Sequence, residues 1–317
     1  MSQLQQSASE LYLDLLKGCL TRTLFETTSA AASSTRMRRA WGEVAKRLRP
    51  RLVPVYTAAL KRVPQDSATA RAVMPSVHRG LHRLASAGAD ASAEGRTWPA
   101  EAETMIGLAR LDNLQACIET IIRDEIPGDL LEAGVWRGGA TILMRGALAA
   151  YGDQQRSVWA ADSFAGLPKP RPDEYQEDAG DQQWALSELA VALDEVKRNF
   201  DRYGLLDDRV KFLPGWFHKT LPNAPIESLS LLRLDGDMYE STIVTLEALY
   251  PRLSPGGFVI VDDYGALLPC RAAVDDYRRA HDVDEPIQQI DWSGIFWRRS
   301  PGAASASVAR SSTGQAT

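Results

Sequence analysis

The sequence predicts an α/β fold: a doubly wound, mostly parallel sheet with helices on both faces, an antiparallel hairpin at one edge and a helical N-terminal extension. Two observations carry this. After Trp98, apolar runs of strand length alternate with amphipathic runs of helical length, the pattern of parallel strands joined by crossover helices. Before Trp98, apolar residues recur only at helical spacing, without the alternation of a half-buried strand.

In chain order, residues 10–24 form the first predicted helix. Residues 36–96 are distinct, with thirteen Lys and Arg against four Asp and Glu, and Pro50, Pro54, Pro64 and Pro75 divide them into short helices because proline ends or kinks a helix. "ASAGADASAEG", 85–95, has the composition of a flexible linker. The strands expected next are 129–133, 158–162, 210–213, 229–235 and 258–262, and the helices between and after them 140–151, 187–203, 241–253 and 270–281. "IQQIDWSGIFWRR" reads as two short strands around Trp292, Ser293 and Gly294, the edge hairpin. The expected organisation is a helical extension over 1–97 with a basic insertion at about 36–96, an α/β domain over 98–300, and a disordered tail over 301–317.

Composition narrows the function. A formal charge of −5 and a pI near 5.5 argue against a chain-wide nucleic-acid footprint, which needs a basic surplus. Cys19, Cys117 and Cys270 are odd in number and widely spaced, so neither a disulfide framework nor a metal knuckle is expected, and a reducing cytoplasm fits. No run approaches the roughly 18 apolar residues of a membrane span, and the N-terminus lacks the basic start of a signal peptide. His78 and His82 stand four apart, but "HRGLH" lacks the glutamate of a zinc-peptidase helix and reads as surface.

Ligands of doubly wound sheets sit beyond the carboxyl ends of the strands, so the residues there are the candidates for chemistry. "LEAGVWRGGAT" places Glu132, Gly134, Gly138 and Gly139 in a strand-to-helix turn where a ligand can lie against the backbone. The spacing differs from G-x-G-x-x-G, and Glu132 would repel a pyrophosphate while attracting an amine or sulfonium; a tight turn without a ligand is the plainer alternative. Asp162 ends the next strand, placed to hold the hydroxyls of a ribose or to start a turn. Gly215 and Trp216 follow the third strand, where an aromatic ring can stack on a base or simply pack. His218 beside them is a base or a surface residue.

The fourth place is the most telling. "LRLDGDMYES" sets Asp235 and Asp237 at the end of an apolar run, and "VIVDDYG" sets Asp262 and Asp263 at the end of the next. Carboxylates removed from water and crowded together need a compensating cation or proton. Oxygen-only ligation favours Mg²⁺, Mn²⁺ or Ca²⁺ over Zn²⁺.

The stretches "LYLDLLK", "TMIGLARLDNLQ", "GDLLEAGVWRGGATILMRG", "VWAADSFAGLPKP", "NFDRYGLLDDRVKFLPGWF", "LRLDGDMYESTIVTLEALYPRLSPGGFVIVDDY" and "IFWRR" together resemble the macrocin O-methyltransferase (TylF) family of metal-dependent natural-product sugar methyltransferases. The resemblance covers 11–17 and about 98–300 and implies a Rossmann-like class I methyltransferase sheet. It implies S-adenosylmethionine at Glu132, Gly134, Val135, Trp136, Gly138, Gly139, Asp162, Ser163, Gly215 and Trp216. It also implies Mg²⁺ at Asp235, Asp262 and Asp263, Asp237 as general base, a small hydroxylated acceptor, and a homo-oligomer built through the N-terminal helices. The basic region 36–96 looks like an insertion relative to that family, and His218 stands where a lysine is usual. Two rivals follow from the residues: a glycosyltransferase using Asp235 and Asp237 as a D-x-D pair, and a catalytically silent scaffold.

Overall fold

The computed structural model describes residues 7–24, 93–96 and 98–300. Most of the basic region and of the linker, with His78, His82 and the tail 301–317, lie outside these residues. The elements are α1 (Ala8–Leu20), α2 (Leu108–Arg123), β1 (Asp129–Ala133), α3 (Gly139–Ala150), β2 (Val158–Asp162), α4 (Leu193–Arg202), β3 (Val210–Pro214), α5 (Phe217–Thr220), β4 (Leu229–Leu234), α6 (Tyr239–Leu249), β5 (Leu253–Val261), α7 (Leu268–Ala280), β6 (Gln288–Gln289) and β7 (Ile295–Arg298). The strands form one sheet in the order β3-β2-β1-β4-β5-β7-β6. β1 to β5 are parallel, and β7 returns antiparallel against β5 with β6 outside it, the hairpin that "IQQIDWSGIFWRR" predicted.

Successive strand residues face opposite ways, and the core divides accordingly. Leu130, Ala160, Leu231, Phe258 and Ile260 pack under α1, α2, α3 and α4, through residues such as Leu13, Leu114, Ile142 and Phe200. Leu131, Trp159, Leu232, Val259 and Val261 face α6 and α7, through Leu246, Leu249, Val274 and Tyr277. β4 is buried along its whole length, as a central parallel strand must be. α1 starts in a capping box between Ser7 and Glu10, and its Leu13, Leu16 and Leu20 belong to the same core as the sheet. None of the described helices is long and apolar enough to cross a membrane.

The differences from expectation have physical reasons. α2 was not anticipated, although Leu111, Leu114, Ile118 and Ile121 mark its buried face at helical spacing. The helix expected from residue 187 begins only at Leu193, after short 3-10 turns at Gln183–Ala185 and Ser187–Leu189, because burying Leu186 and Val191 overrides local helix propensity. β4 ends at Leu234 and β5 at Val261, so all four aspartates stand just past the strands.

One glycine decides how closely those ends meet. Gly134 has φ 93°, and a Cβ there would lie 1.8 Å from the Asp235 carbonyl oxygen, where Asp235 N–H already donates to Ala133 O at 2.8 Å. We expect Gly134→Ala to cost at least about 1–3 kcal/mol, read as a lower midpoint of thermal unfolding; an unchanged midpoint would contradict this packing.

Candidate active site

A cavity of about 290 Å³ opens at the carboxyl ends of the central strands, where a doubly wound sheet places its ligand. Gly134, Val135, Trp136, Asp162, Ser163, Gly215 and Trp216 border it on one side. Asp235, Gly236, Asp237, Asp262 and Asp263 border it from the β4 and β5 ends, and Trp98, Met105, Phe217, His218, Glu240 and Trp292 complete much of the wall. The residues expected from four separate loops thus converge on one space.

Three expected contacts do not reach it. Glu132, Gly138 and Gly139 are absent from the cavity wall. Glu132 is 2% exposed and is turned by strand alternation toward α3, where Thr141 Oγ1 donates to it. Gly138 packs near Val196 and Phe200, and Gly139 against the Glu103 backbone. They shape the turn, while Gly134, Val135 and Trp136 present it. Asp162 props the same turn: its Oδ2 accepts from Val135 N–H at 2.7 Å and Trp136 N–H at 3.4 Å, and its Oδ1 from Phe164 N–H at 2.7 Å. Burial pushes its carboxyl up despite those donors.

The acidic end is organised by two arginines. Arg233 is 1% exposed near the end of β4, directly across from Glu132 on β1 and Ile260 on β5. Period-two alternation therefore gives one face to Arg233 and Asp235, and the same face to Ile260 and Asp262. Arg233 donates to Glu132, to Asp235 Oδ2 at 2.8 Å and to Asp262. Arg110, from the first turn of α2, donates to the other oxygen of Asp262 and to Asp291 Oδ2 at 2.9 Å. Sequence reasoning missed both, although an arginine inside "LLRLDGD" was a visible signal: a buried guanidinium needs carboxylates beside it.

Two guanidiniums do not balance Glu132, Asp235, Asp237, Asp262 and Asp263. No ion pair reaches Asp237 or Asp263 among the described residues, and Asp263 Oδ2 is buried without a hydrogen-bond partner. Burial first, then neighbouring carboxylates, hold the carboxyls of Asp237 and Asp263 well above their ordinary range, and burial with Asp262 raises that of Asp235. One ligand atom each from Asp235, Asp237 and Asp263 lie within 4.8 Å of one another. An all-oxygen group with an orphaned acceptor fits a hard dication such as Mg²⁺. This trio differs from the expected Asp235, Asp262 and Asp263. Asp262 borders the same cavity, but each of its oxygens already accepts from a guanidinium. Asp237 itself has φ 60°, a left-handed conformation that costs energy outside glycine and gathers at functional sites.

A sheet of this order, with a ligand turn after β1 and an acid closing β2, defines a class I methyltransferase fold. The model of the macrocin O-methyltransferase (TylF) family matches residues 9–299, and the chain belongs to that family. It is a S-adenosylmethionine-dependent O-methyltransferase. It is 56% identical over 220 residues, 68% of this chain and 83% of the relative, to 8-demethyl-8-(2,3-dimethoxy-alpha-L-rhamnosyl)-tetracenomycin-C 4'-O-methyltransferase of Streptomyces olivaceus. It is 52% identical over 214 residues, 67% of this chain and 84% of the relative, to mycinamicin III 3''-O-methyltransferase of Micromonospora griseorubida. The solved structure of the O-methyltransferase NovP superposes with a TM-score of 0.72 at 41% identity, covering 92% of this chain and 99% of that one.

Two outcomes test the ionic network. Arg233→Met leaves Glu132 and Asp235 without a guanidinium and Asp262 with Arg110 alone, and should cost about 3–5 kcal/mol, seen as a lower urea midpoint; a midpoint at or above that of the parent would show the network to be dispensable. Burial raises Glu132 from an ordinary 4.5 to about 7. A raised folded-state value contributes stability that is complete below 4.5 and lost as pH climbs through about 7. Glu132→Gln lacks that loss, so the stability of the variant relative to the parent should rise between pH 4.5 and 7.

Proposed function

We propose that the chain methylates a sugar hydroxyl of a glycosylated secondary metabolite, with Mg²⁺ held by Asp235, Asp262 and Asp263 and with Asp237 as general base. The observation that carries this reading is the unbalanced acidic cluster facing the same cavity as the glycine turn. The named acceptors of two relatives, a rhamnosyl tetracenomycin and a mycinamicin, favour a glycoside. The glycosyltransferase reading of the Asp235–Asp237 pair finds no support in the family assignment.

When bound, S-adenosylmethionine supplies an electrophilic methyl on a sulfonium, and Mg²⁺ supplies Lewis-acid stabilisation of negative charge on oxygen. The chain supplies position and proton transfer. Gly134, Val135 and Trp136 offer backbone to the donor, Asp162 and Ser163 stand beside them for its ribose, and Gly215 and Trp216 form the edge for its base. Glu132, Gly138 and Gly139 act through the shape of the turn. Asp262 keeps lone pairs beyond those the guanidiniums use, which leaves it available as a ligand. Asp237, without an arginine partner among the described residues, would accept the proton of the acceptor hydroxyl whose oxygen gains the methyl group, the sulfonium S–CH₃ bond breaking to leave S-adenosylhomocysteine. Holding both reactants against one wall removes much of the entropic cost of their encounter.

Three free cysteines suit a reducing cytoplasm. Leu11 and Leu15, each 56% exposed on α1, suit a homo-oligomer contact through the N-terminal helix. The proposed organisation is an N-terminal extension over 1–97, a methyltransferase domain over 98–300 and a tail over 301–317.

The test separates base from ligands. Asp237→Asn should bind S-adenosylmethionine and Mg²⁺ as the parent does while turnover of a rhamnosyl tetracenomycin falls by about 10²–10⁴. Asp263→Asn should lose Mg²⁺ affinity in calorimetry. Loss of S-adenosylmethionine binding in Asp237→Asn rejects its role as base, and loss of Mg²⁺ there but not in Asp262→Asn replaces Asp262 by Asp237 in the ligand set. Chelation should abolish turnover and added Mg²⁺ restore it; turnover unaffected by chelation contradicts metal dependence.

A further inference from the structure

The segment 163–192, between β2 and α4, contributes Ser163, Leu167, Gln183 and Leu189 to the cavity wall, yet between Asp162 and α4 it contains only turns and short 3-10 pieces. Its turns carry backbone hydrogen bonds of their own, and side chains dock it on the rest of the fold. Its tightest tie is Asp178, 1% exposed. Asp178 Oδ1 accepts from Tyr239 N–H at 2.7 Å and Oδ2 from Glu240 N–H at 2.9 Å. These are the first two residues of α6, whose own N-cap, Met238, offers no side-chain acceptor. A carboxylate 61 residues away in sequence therefore caps the helix, and its charge suits the positive end of the helix dipole. A second tie lies beside it: Arg171 donates to Glu240 Oε1 at 2.7 Å and Oε2 at 3.1 Å. A third is at the other side of the cavity, where Trp136 Nε1 donates to Glu188 O at 2.8 Å.

The position of this cap matters because Asp237 lies two residues before Tyr239, and the backbone between them has little freedom: Met238 N–H donates to Gly236 O at 2.6 Å. A displacement of the first turn of α6 moves Asp237 with it. We propose that Asp178 is a positioning residue for methyl transfer, its carboxylate clamping the segment 163–192 to α6 so that this part of the cavity wall and Asp237 are positioned together. The proposal rests on the methyltransferase reading for its kinetic consequence and on geometry alone for the clamp. It assigns Asp178 no contact with donor, metal or reacting atoms.

The experiment uses the full chain with Asp178→Asn, an isosteric change that turns an amide NH₂ toward one of the two N–H groups, and Arg171→Met, which removes the second tie and leaves the cap. Amide hydrogen exchange is read at Tyr239, Glu240 and 163–192, S-adenosylhomocysteine affinity by calorimetry, and kcat and KM with a rhamnosyl tetracenomycin. For Asp178→Asn, exchange at these amides should accelerate and kcat/KM should fall by about tenfold or more, since charge-assisted bonds of this kind are individually strong. Affinity for S-adenosylhomocysteine and exchange in α2 should stay as in the parent, and Arg171→Met should show the smaller kinetic loss. Unchanged exchange, unchanged kcat/KM, or equal losses of cofactor affinity and activity each overturn the proposal, the last by marking a general structural role. Should the parent transfer no methyl group, the functional reading falls by itself, while the exchange data still decide whether the clamp exists.

Discussion

The structure depends on the compensation of buried negative charge at the tips of two neighbouring strands. Arg233 is buried near the end of β4 and donates to Glu132, Asp235 and Asp262 at the ends of three strands, so it fixes the relative places of β1, β4 and β5 where the cavity opens. Breaking such a group is expensive because each partner would be left charged away from water. Arg110 extends the compensation to the C-terminal hairpin through Asp291. Asp237 and Asp263 remain outside it, with carboxyls held well above their ordinary range by burial and by neighbouring acids, and the proposed cation site rests on this lack of compensation.

That arrangement also explains why donor and acid sides adjoin. Gly134 lets the β1 turn lie against the Asp235 backbone, and Asp162 braces the same turn from β2 through three N–H bonds. The Val135–Trp136 turn, where the methyl donor is proposed to lie, therefore faces the acidic wall across a single cavity. Another part of the cavity wall comes from the segment 163–192, built of turns and short 3-10 pieces and docked on α6 and Trp136 by side-chain hydrogen bonds.

Much of this was legible in the residues. The alternation after Trp98 yields the parallel sheet because strand and helix periods differ, and Asp235, Asp237, Asp262 and Asp263 are conspicuous as acids ending apolar runs. The inward turn of Glu132 was not read, since it follows from the register that pairs it with Arg233, and register is a tertiary property. Nor was the guanidinium pairing of Asp262, because Arg110 is 152 residues distant in sequence. The cap by Asp178 was equally hidden: the N-terminus of α6 has no local acceptor, and nothing local indicates which distant carboxylate replaces it. α2 was legible in its apolar spacing and was overlooked.

The most direct test is to place the cation. Crystals grown with Mn²⁺ and S-adenosylhomocysteine should give one strong anomalous peak against Asp235 and Asp263, on the cavity side away from Arg233. No peak there at saturating Mn²⁺, with the cofactor product bound in the cavity, would contradict the account of why these carboxylates are gathered.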